Sequence, residues 1–244
     1  MYDKRTVLDY LWSYSRFHSY CLQQSEELYR NQNGFSAITV LFSCLENISK
    51  SVVNDYESNL FTVFKKLLEN KIVTQAEHDF LNTGENCIRK IRNLYAHANI
   101  AAINLVETED SNEILWPLTE DETSLLLYEK ISDLTYNLII KLVSFSFIED
   151  VKQRFFVPLD EYISKCNIKF KKLSVEELLV LKGFPPNYIP DDLGIPEDTK
   201  YRIVDNASDV NMYTYIFSGL KETGLIEALK DNESVKLKQT EETD

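Results

Sequence analysis

Apolar residues recur at helical spacing through most of the first 150 positions, and this rhythm is the strongest structural signal in the chain. One amphipathic segment runs from about Arg5 to Arg30 and meets Asn31-Gln32-Asn33-Gly34, a run that predicts a helix stop. A second begins near Phe35, where Ile38, Leu41, Leu45, Ile48 and Val52 alternate spacings of three and four. Beside that stripe, Ala37, Cys44 and Ser51 form a row of small residues suited to close helix approach. A short helix is expected from Leu60 to Asn70. Thr74-Gln75-Ala76-Glu77 has the form of a capping box and predicts a helix reaching about Asn99. Thr119-Glu120-Asp121-Glu122 predicts a second box, opening a long helix toward Asp150. Between these two helices, Ile103-Asn104-Leu105 and Ile114-Leu115-Trp116 flank an acidic run, the pattern of an exposed hairpin or loop.

The rhythm fades after Phe155, and five of the six prolines lie at Pro158 or beyond. Ser174-Val175-Glu176-Glu177 caps a short helix that should end at Gly183. Residues 184–205 are rich in turn formers, with Phe184, Tyr188, Ile189, Leu193 and Tyr201 as apolar anchors, so an ordered irregular loop is expected. One or two short helices should follow between Ala207 and Leu229, before a polar tail. The fold class expected is mainly all-α: an up-down helical bundle over 1–154, a helical and irregular extension over 155–230, and a flexible tail over 231–244.

Composition narrows the class. With 44% apolar residues and 12% aromatics the chain can bury a core. The longest apolar run, Leu134 to Ile148, is interrupted by Lys141, and Met1-Tyr2-Asp3-Lys4-Arg5 lacks an apolar signal core, so a cytoplasmic protein is expected. Cys21, Cys44, Cys87 and Cys166 show no C-x-x-C spacing and are expected to be reduced and packed. A net charge of −13 argues against a general nucleic-acid coat. The acidity is local, however. Residues 1–104 balance 11 basic against 11 acidic side chains, whereas 105–133 carry nine acids and only Lys130.

The neutral part holds the one constellation with chemistry in it. On a helix advancing about 100° per residue, Ile88, Ile91, Leu94 and Tyr95 share one half, while Asn86, Arg89, Lys90, Asn93 and His97 share the other, with Arg92 at its flank. Asn93 and His97, four apart, face the same way. The long Arg92 side chain can reach the same phosphate as an imidazole near the helix end. Such a polar stripe also occurs on any surface helix.

The segment Ile91-Arg92-Asn93-Leu94-Tyr95-Ala96-His97 resembles the R-N/D/H-x-x-x-H signature of the HEPN superfamily. In that family the motif lies late in the third or fourth helix of a bundle, ahead of a loop and another long helix. The likeness covers roughly residues 1–150. It implies a metal-independent endoribonuclease that uses the substrate's own 2′-hydroxyl and leaves a 2′,3′-cyclic phosphate and a 5′-hydroxyl. Arg92, Asn93 and His97 would be the catalytic residues. His97, as an imidazole of ordinary pKa near ~6.5, would act as general base or acid. Arg92 would offset charge building on the non-bridging oxygens, and Asn93 would orient His97 or a phosphate oxygen. Arg89 and Lys90 would hold RNA phosphate. No cofactor and no metal are implied, and DNA would be inert. The family also pairs two motifs across a two-fold axis, which implies a homodimer with a second His97. A prokaryotic toxin or antiviral effector, with an antitoxin or defence partner protein, is the biological role implied. The alternative is a non-catalytic module of the same family that binds a nucleotide, RNA or a partner protein.

Glu46 lies on an otherwise apolar or small face of the second helix, where a carboxylate wants a partner. It either orients Arg92 or His97, as polar residues of this helix do in the family, or pairs with Lys50 at i+4. His18, among Tyr14, Phe17 and Cys21, is expected to be a packed histidine, and His78 an exposed one. Lys169, Lys171 and Lys172, with Phe170 between, are expected to form a solvated face.

Overall fold

The computed structural model describes residues 1–97, 100–109, 112–145, 155, 157–189 and 194–206. It is mainly helical, with one small antiparallel sheet. The chain divides into two units, Met1–Lys172 and Leu173–Asp244.

In the first unit, α1 (Lys4–Tyr14), α2 (Arg16–Arg30), α3 (Gly34–Val53) and a long later helix, α7 (Asp121–Ser144), pack together around one core. The expected single segment from Arg5 to Arg30 is two helices. Ser15 interrupts it in an extended conformation, and its hydroxyl accepts from the His18 amide at the start of α2. Periodicity is blind to that break because Val7, Leu11 and Leu22 still bury on one side.

The run Asn31–Gly34 does stop α2, but the left-handed residue is Gln32, at φ 59°. Gly34 serves the next helix. Both oxygens of Asp121, at the start of α7, accept from the Gly34 and Phe35 amides at 2.8 and 2.7 Å. A Cβ on Gly34 would lie 2.6 Å from the Asp121 carbonyl and the Leu125 nitrogen, so only glycine admits this approach. The expected capping box at Thr119 is therefore not formed. Glu120 is the N-cap without a side-chain bond, and Asp121 is spent on α3.

Helix α7 is buried almost all round from Leu134 to Ser144, as befits a central helix. Lys141 interrupts its apolar run for a reason. Its ammonium lies 2.6 and 2.7 Å from the two oxygens of the fully buried Glu77. Among the described residues, no helix is long and apolar enough to cross a membrane.

Between α3 and α7 the chain makes α4 (Leu60–Glu69), α5 (Gln75–His78), a π-helical turn (Asp79–Thr83) and α6 (Ile88–His97). The capping box at Thr74 and Glu77 is present. The helix it opens does not run through to Asn99, however. It widens at Asp79, where the Gly84 amide reaches back to the Asp79 carbonyl at 2.8 Å, then turns through Gly84-Glu85-Asn86 before α6 begins. A Cβ at Gly84 would sit 2.9 Å from that carbonyl, which is why glycine occupies the turn.

The hairpin between the motif helix and α7 is formed. β1 (Ile103–Glu109) pairs antiparallel with β2 (Asn112–Pro117), in register Leu105↔Trp116 and Glu109↔Asn112. A third strand, β3 (Lys169–Lys172), pairs antiparallel with β1 on its other side, with Leu105 opposite Phe170. Leu105, Trp116 and Phe170 thus lie side by side and pack on the core, while Lys169, Lys171 and Lys172 are exposed. With Phe155, Leu159 and Ile168 also in that core and α8 (Asp160–Lys165) beside α5, the first unit continues past residue 154, as far as Lys172.

In the second unit, Ser174 and Glu177 form their capping box at α9 (Val175–Leu181). A further helix, α10 (Glu197–Asn206), replaces the later part of the expected irregular loop. It is fastened by Tyr201, whose hydroxyl donates to the Leu173 carbonyl at 2.7 Å. The helices expected between Ala207 and Leu229, and the tail, lie outside the described residues.

Candidate functional site

Helix α6 carries the motif and is seated by its apolar half. Ile88 and Ile91 are buried, and Tyr95 packs against Phe35 at a tilt and Phe42 edge-on, both of α3, with its hydroxyl 2.9 Å from Ser124 of α7. Burial pushes the Tyr95 phenol up to about 12, so it stays a neutral anchor. The opposite half turns Arg89, Arg92 and Asn93 toward α3 and α4, while Lys90 is exposed. His97 closes α6, and its side chain lies outside the described residues.

Arg92 and Glu46 meet across the α3–α6 contact, with Nη2 3.1 Å from Oε2. Lys50 takes the other oxygen of the same carboxylate at 3.0 Å. Both options left open for Glu46 are therefore realised together. One carboxylate bridges two cations and holds the arginine in place. With Arg89 nearby, three cationic side chains gather around this carboxylate among the described residues, in a protein whose net charge is −13. Arg92 Nη1 also lies 3.4 Å from Asn93 Oδ1, a long contact between motif neighbours.

Two clefts flank Arg92. One, of about 330 Å³, is lined by Glu46, Asn59, Leu60, Phe61, Arg89, Arg92 and Asn93. The other, of about 120 Å³, lies between Thr39, Phe42 and Ser43 of α3 and Arg92, Tyr95 and Ala96 of α6. A larger cavity, of about 520 Å³, lies between the Asp79–Cys87 segment and the α8–β3 region and contains no motif residue. Size does not mark the site here; the convergence of arginines and amides does.

Arg89 is held firmly in place. Its Nε donates to Asn82 Oδ1 at 2.8 Å and its Nη2 to the Asn82 carbonyl at 3.1 Å. Its guanidinium carbon stands 5.3 Å from the centre of the Phe61 ring. Since arginine only donates, the Asn82 oxygen faces Arg89 and its amide nitrogen faces away. That nitrogen donates to the Phe61 carbonyl and lies 3.1 Å from His78 Nε2, so the imidazole packs against the far side of the amide. His78 is thus buried, contrary to the exposed position expected for it, because α4 covers this side of the α5–π segment. His18 is half-buried with Nδ1 2.9 Å from the Ser15 hydroxyl, and desolvation lowers its pKa.

The structure brings Arg92, Asn93, Glu46 and Arg89 to one cleft. Sequence reasoning missed Phe61, Asn82 and Asn59. Asn82 lay hidden in a stretch expected to be regular helix, and Phe61 looked like one more apolar residue of a short helix. Among the described residues, no three His, Cys, Asp or Glu side chains are grouped to hold a metal ion. Compared with family models, curated proteins and solved structures, the chain matches none of them.

Proposed function

We propose that the α3–α4–α6 cleft is the active site of a metal-independent endoribonuclease of the HEPN type. The observation that carries this reading is the Arg92 guanidinium, fixed by Glu46 in a cleft that also holds Arg89, beside Asn93 and on the helix that ends at His97. In the reaction, the 2′-hydroxyl oxygen attacks the adjacent phosphorus while its proton passes to a base. The P–O5′ bond breaks, and the departing 5′-oxygen takes a proton. The products are a 2′,3′-cyclic phosphate and a 5′-hydroxyl, and no water is consumed. Arg92 offsets the charge gathering on the non-bridging oxygens, and a guanidinium already held by Glu46 pays little reorganisation cost in doing so. His97 serves as base or acid, and a homodimer would bring the second imidazole that the other proton transfer calls for. In this reading the protein is a toxin or defence effector of the cytoplasm, held in check by a partner protein.

A second reading shares the same cleft. Glu46 already occupies Arg92 Nη2, which favours a module that binds RNA or a nucleotide without turnover. A cleavage assay on single-stranded RNA separates the two. Arg92→Ala is expected to slow cleavage at least roughly a hundredfold, the usual range for a transition-state contact. Arg92→Lys should recover only a small part, because an ammonium cannot span two oxygens. Binding of RNA by the wild type with no cleavage in any condition would favour the non-catalytic module.

A further inference from the structure

Phe61 is the anomaly of the cleft. It is a large aromatic left 47% exposed beside two arginines, yet its surroundings are fixed with care. The buried Asn82 ties the platform and the cation together: its amide nitrogen donates to the Phe61 carbonyl at 3.1 Å, and its oxygen accepts from Arg89 at 2.8 Å. His78 closes the far side of the same amide. The π-helical turn is what swings Asn82 inward, and such turns recur where side chains must be re-aimed. Orienting Phe61 and Arg89 through one shared asparagine is preorganisation, and it lowers the ordering cost of whatever binds beside them.

We infer that Phe61 and Arg89 form a base-binding subsite, in which one unpaired nucleobase of a single-stranded RNA stacks on the Phe61 ring while Arg92 holds the neighbouring phosphate. The inference rests on reading the cleft as an RNA site, and it names the form of RNA taken. An aromatic face beside a guanidinium is how unpaired bases are held, since every base has a π-face. The cleft, at about 330 Å³, falls in the range of small-ligand sites, about 300–1,000 Å³. Asn59 and Asn93 on its walls offer amides to a base edge. A base in a duplex is stacked on its neighbours and cannot present its face to Phe61, so the subsite selects loops and single strands over helices.

The test is binding of a single-stranded oligonucleotide with 2′-O-methyl sugars throughout and one 2-aminopurine. This probe cannot be cut by 2′-hydroxyl attack, so binding is read without cleavage. Stacking on Phe61 should quench the 2-aminopurine fluorescence. Phe61→Leu, an exposed change that keeps the fold, should remove most of the quenching and weaken Kd at least about fivefold. Phe61→Tyr should restore both, and the same sequence as a duplex should bind no better than the single strand binds Phe61→Leu. The subsite is refuted if Phe61→Leu quenches and binds as the wild type does, or if the folded wild type does not bind the probe. Quenching that depends on Phe61 in a protein that cleaves no RNA would uphold the subsite and reject the nuclease. Cleavage of RNA with binding indifferent to Phe61 would do the reverse.

Discussion

Replacing Lys141 by Met should be the most destabilising exchange of similar volume in the first unit. The substitution keeps an unbranched stem in the centre of α7 and removes only the ammonium. Glu77 is 0% exposed, and both its oxygens rely on that ammonium, at 2.6 and 2.7 Å; afterwards, among the described residues, it keeps only the Thr74 amide at 2.8 Å. Breaking one side of a buried pair costs about 3–5 kcal/mol, because a desolvated charge is left without its counter-charge. A domain of this kind is stable by only about 5–15 kcal/mol, so the loss is a large share of the total. In urea, with a slope of about 2 kcal/mol/M, the midpoint should fall by roughly 1.5–2.5 M. The double variant Lys141→Met with Glu77→Gln should regain most of that, since the buried Glu77 charge is removed together with its partner. The same pair holds the α5 capping box, and through it the π-turn that presents Asn82 to Arg89, so Lys141→Met should also loosen the cleft. Urea titration followed by far-ultraviolet circular dichroism is sufficient. A loss under about 1 kcal/mol for Lys141→Met, or a double variant no better than the single, would refute the burial argument.

Three other outcomes are expected. Desolvation lowers the His18 pKa below its ordinary 6.5, so the unfolded chain takes a proton more readily than the folded one. Stability from this group is full above about pH 6.5 and declines as pH falls from there through the folded value; His18→Gln should flatten that part of the profile, and an unchanged slope would clear His18 of the role. Gly34→Ala should destabilise by about 1–3 kcal/mol, as overpacking does, because its Cβ meets backbone atoms of α7 at 2.6 Å; a thermal midpoint equal to wild type would contradict this. Mixing Arg92→Ala with His97→Ala protein should restore part of the RNA cleavage if the site is shared across a dimer, whereas a monomer by light scattering that still cuts RNA would end the paired-site idea.

The elements that could be read from the sequence are those whose signals are local. The capping boxes at Thr74 and Ser174, the apolar stripe of α3 and the flanks of the hairpin each sit within a few residues, and each formed. Features decided by distant partners could not be read that way. Asp121 is the first-turn acid of α7 that it looked to be, but it also caps α3, 86 and 87 residues away in sequence. The stretch from Thr74 to Asn99 keeps its apolar residues on a helical wheel even though a π-turn and Gly84 break it, because a shift of one residue at the break still leaves Phe80, Ile88 and Ile91 facing the core. The same break hid the site's support. Arg89 could be placed on the polar face, but its bonds to Asn82 and its contact with Phe61 exist only because the turn brings Asn82 inward. Glu46 was legible as a carboxylate in need of a partner, on an otherwise apolar or small face of α3, but the sequence left Arg92, His97 and Lys50 open as that partner. The strand β3 was not, since Lys169-Phe170-Lys171-Lys172 is too short and too charged to look like anything but surface until β1 stands beside it.

The central claim is cleavage at the Arg92–His97 motif by the substrate's own 2′-hydroxyl. It is tested most directly by incubating single-stranded RNA with wild type and His97→Ala protein in EDTA and determining the chemistry of the new ends. Wild type should yield 2′,3′-cyclic phosphate and 5′-hydroxyl ends with the chelator present, and His97→Ala should yield them at least roughly a hundredfold more slowly while folding normally. Ends carrying 5′-phosphate, cleavage that returns only with added magnesium, or wild-type rates from His97→Ala would contradict it.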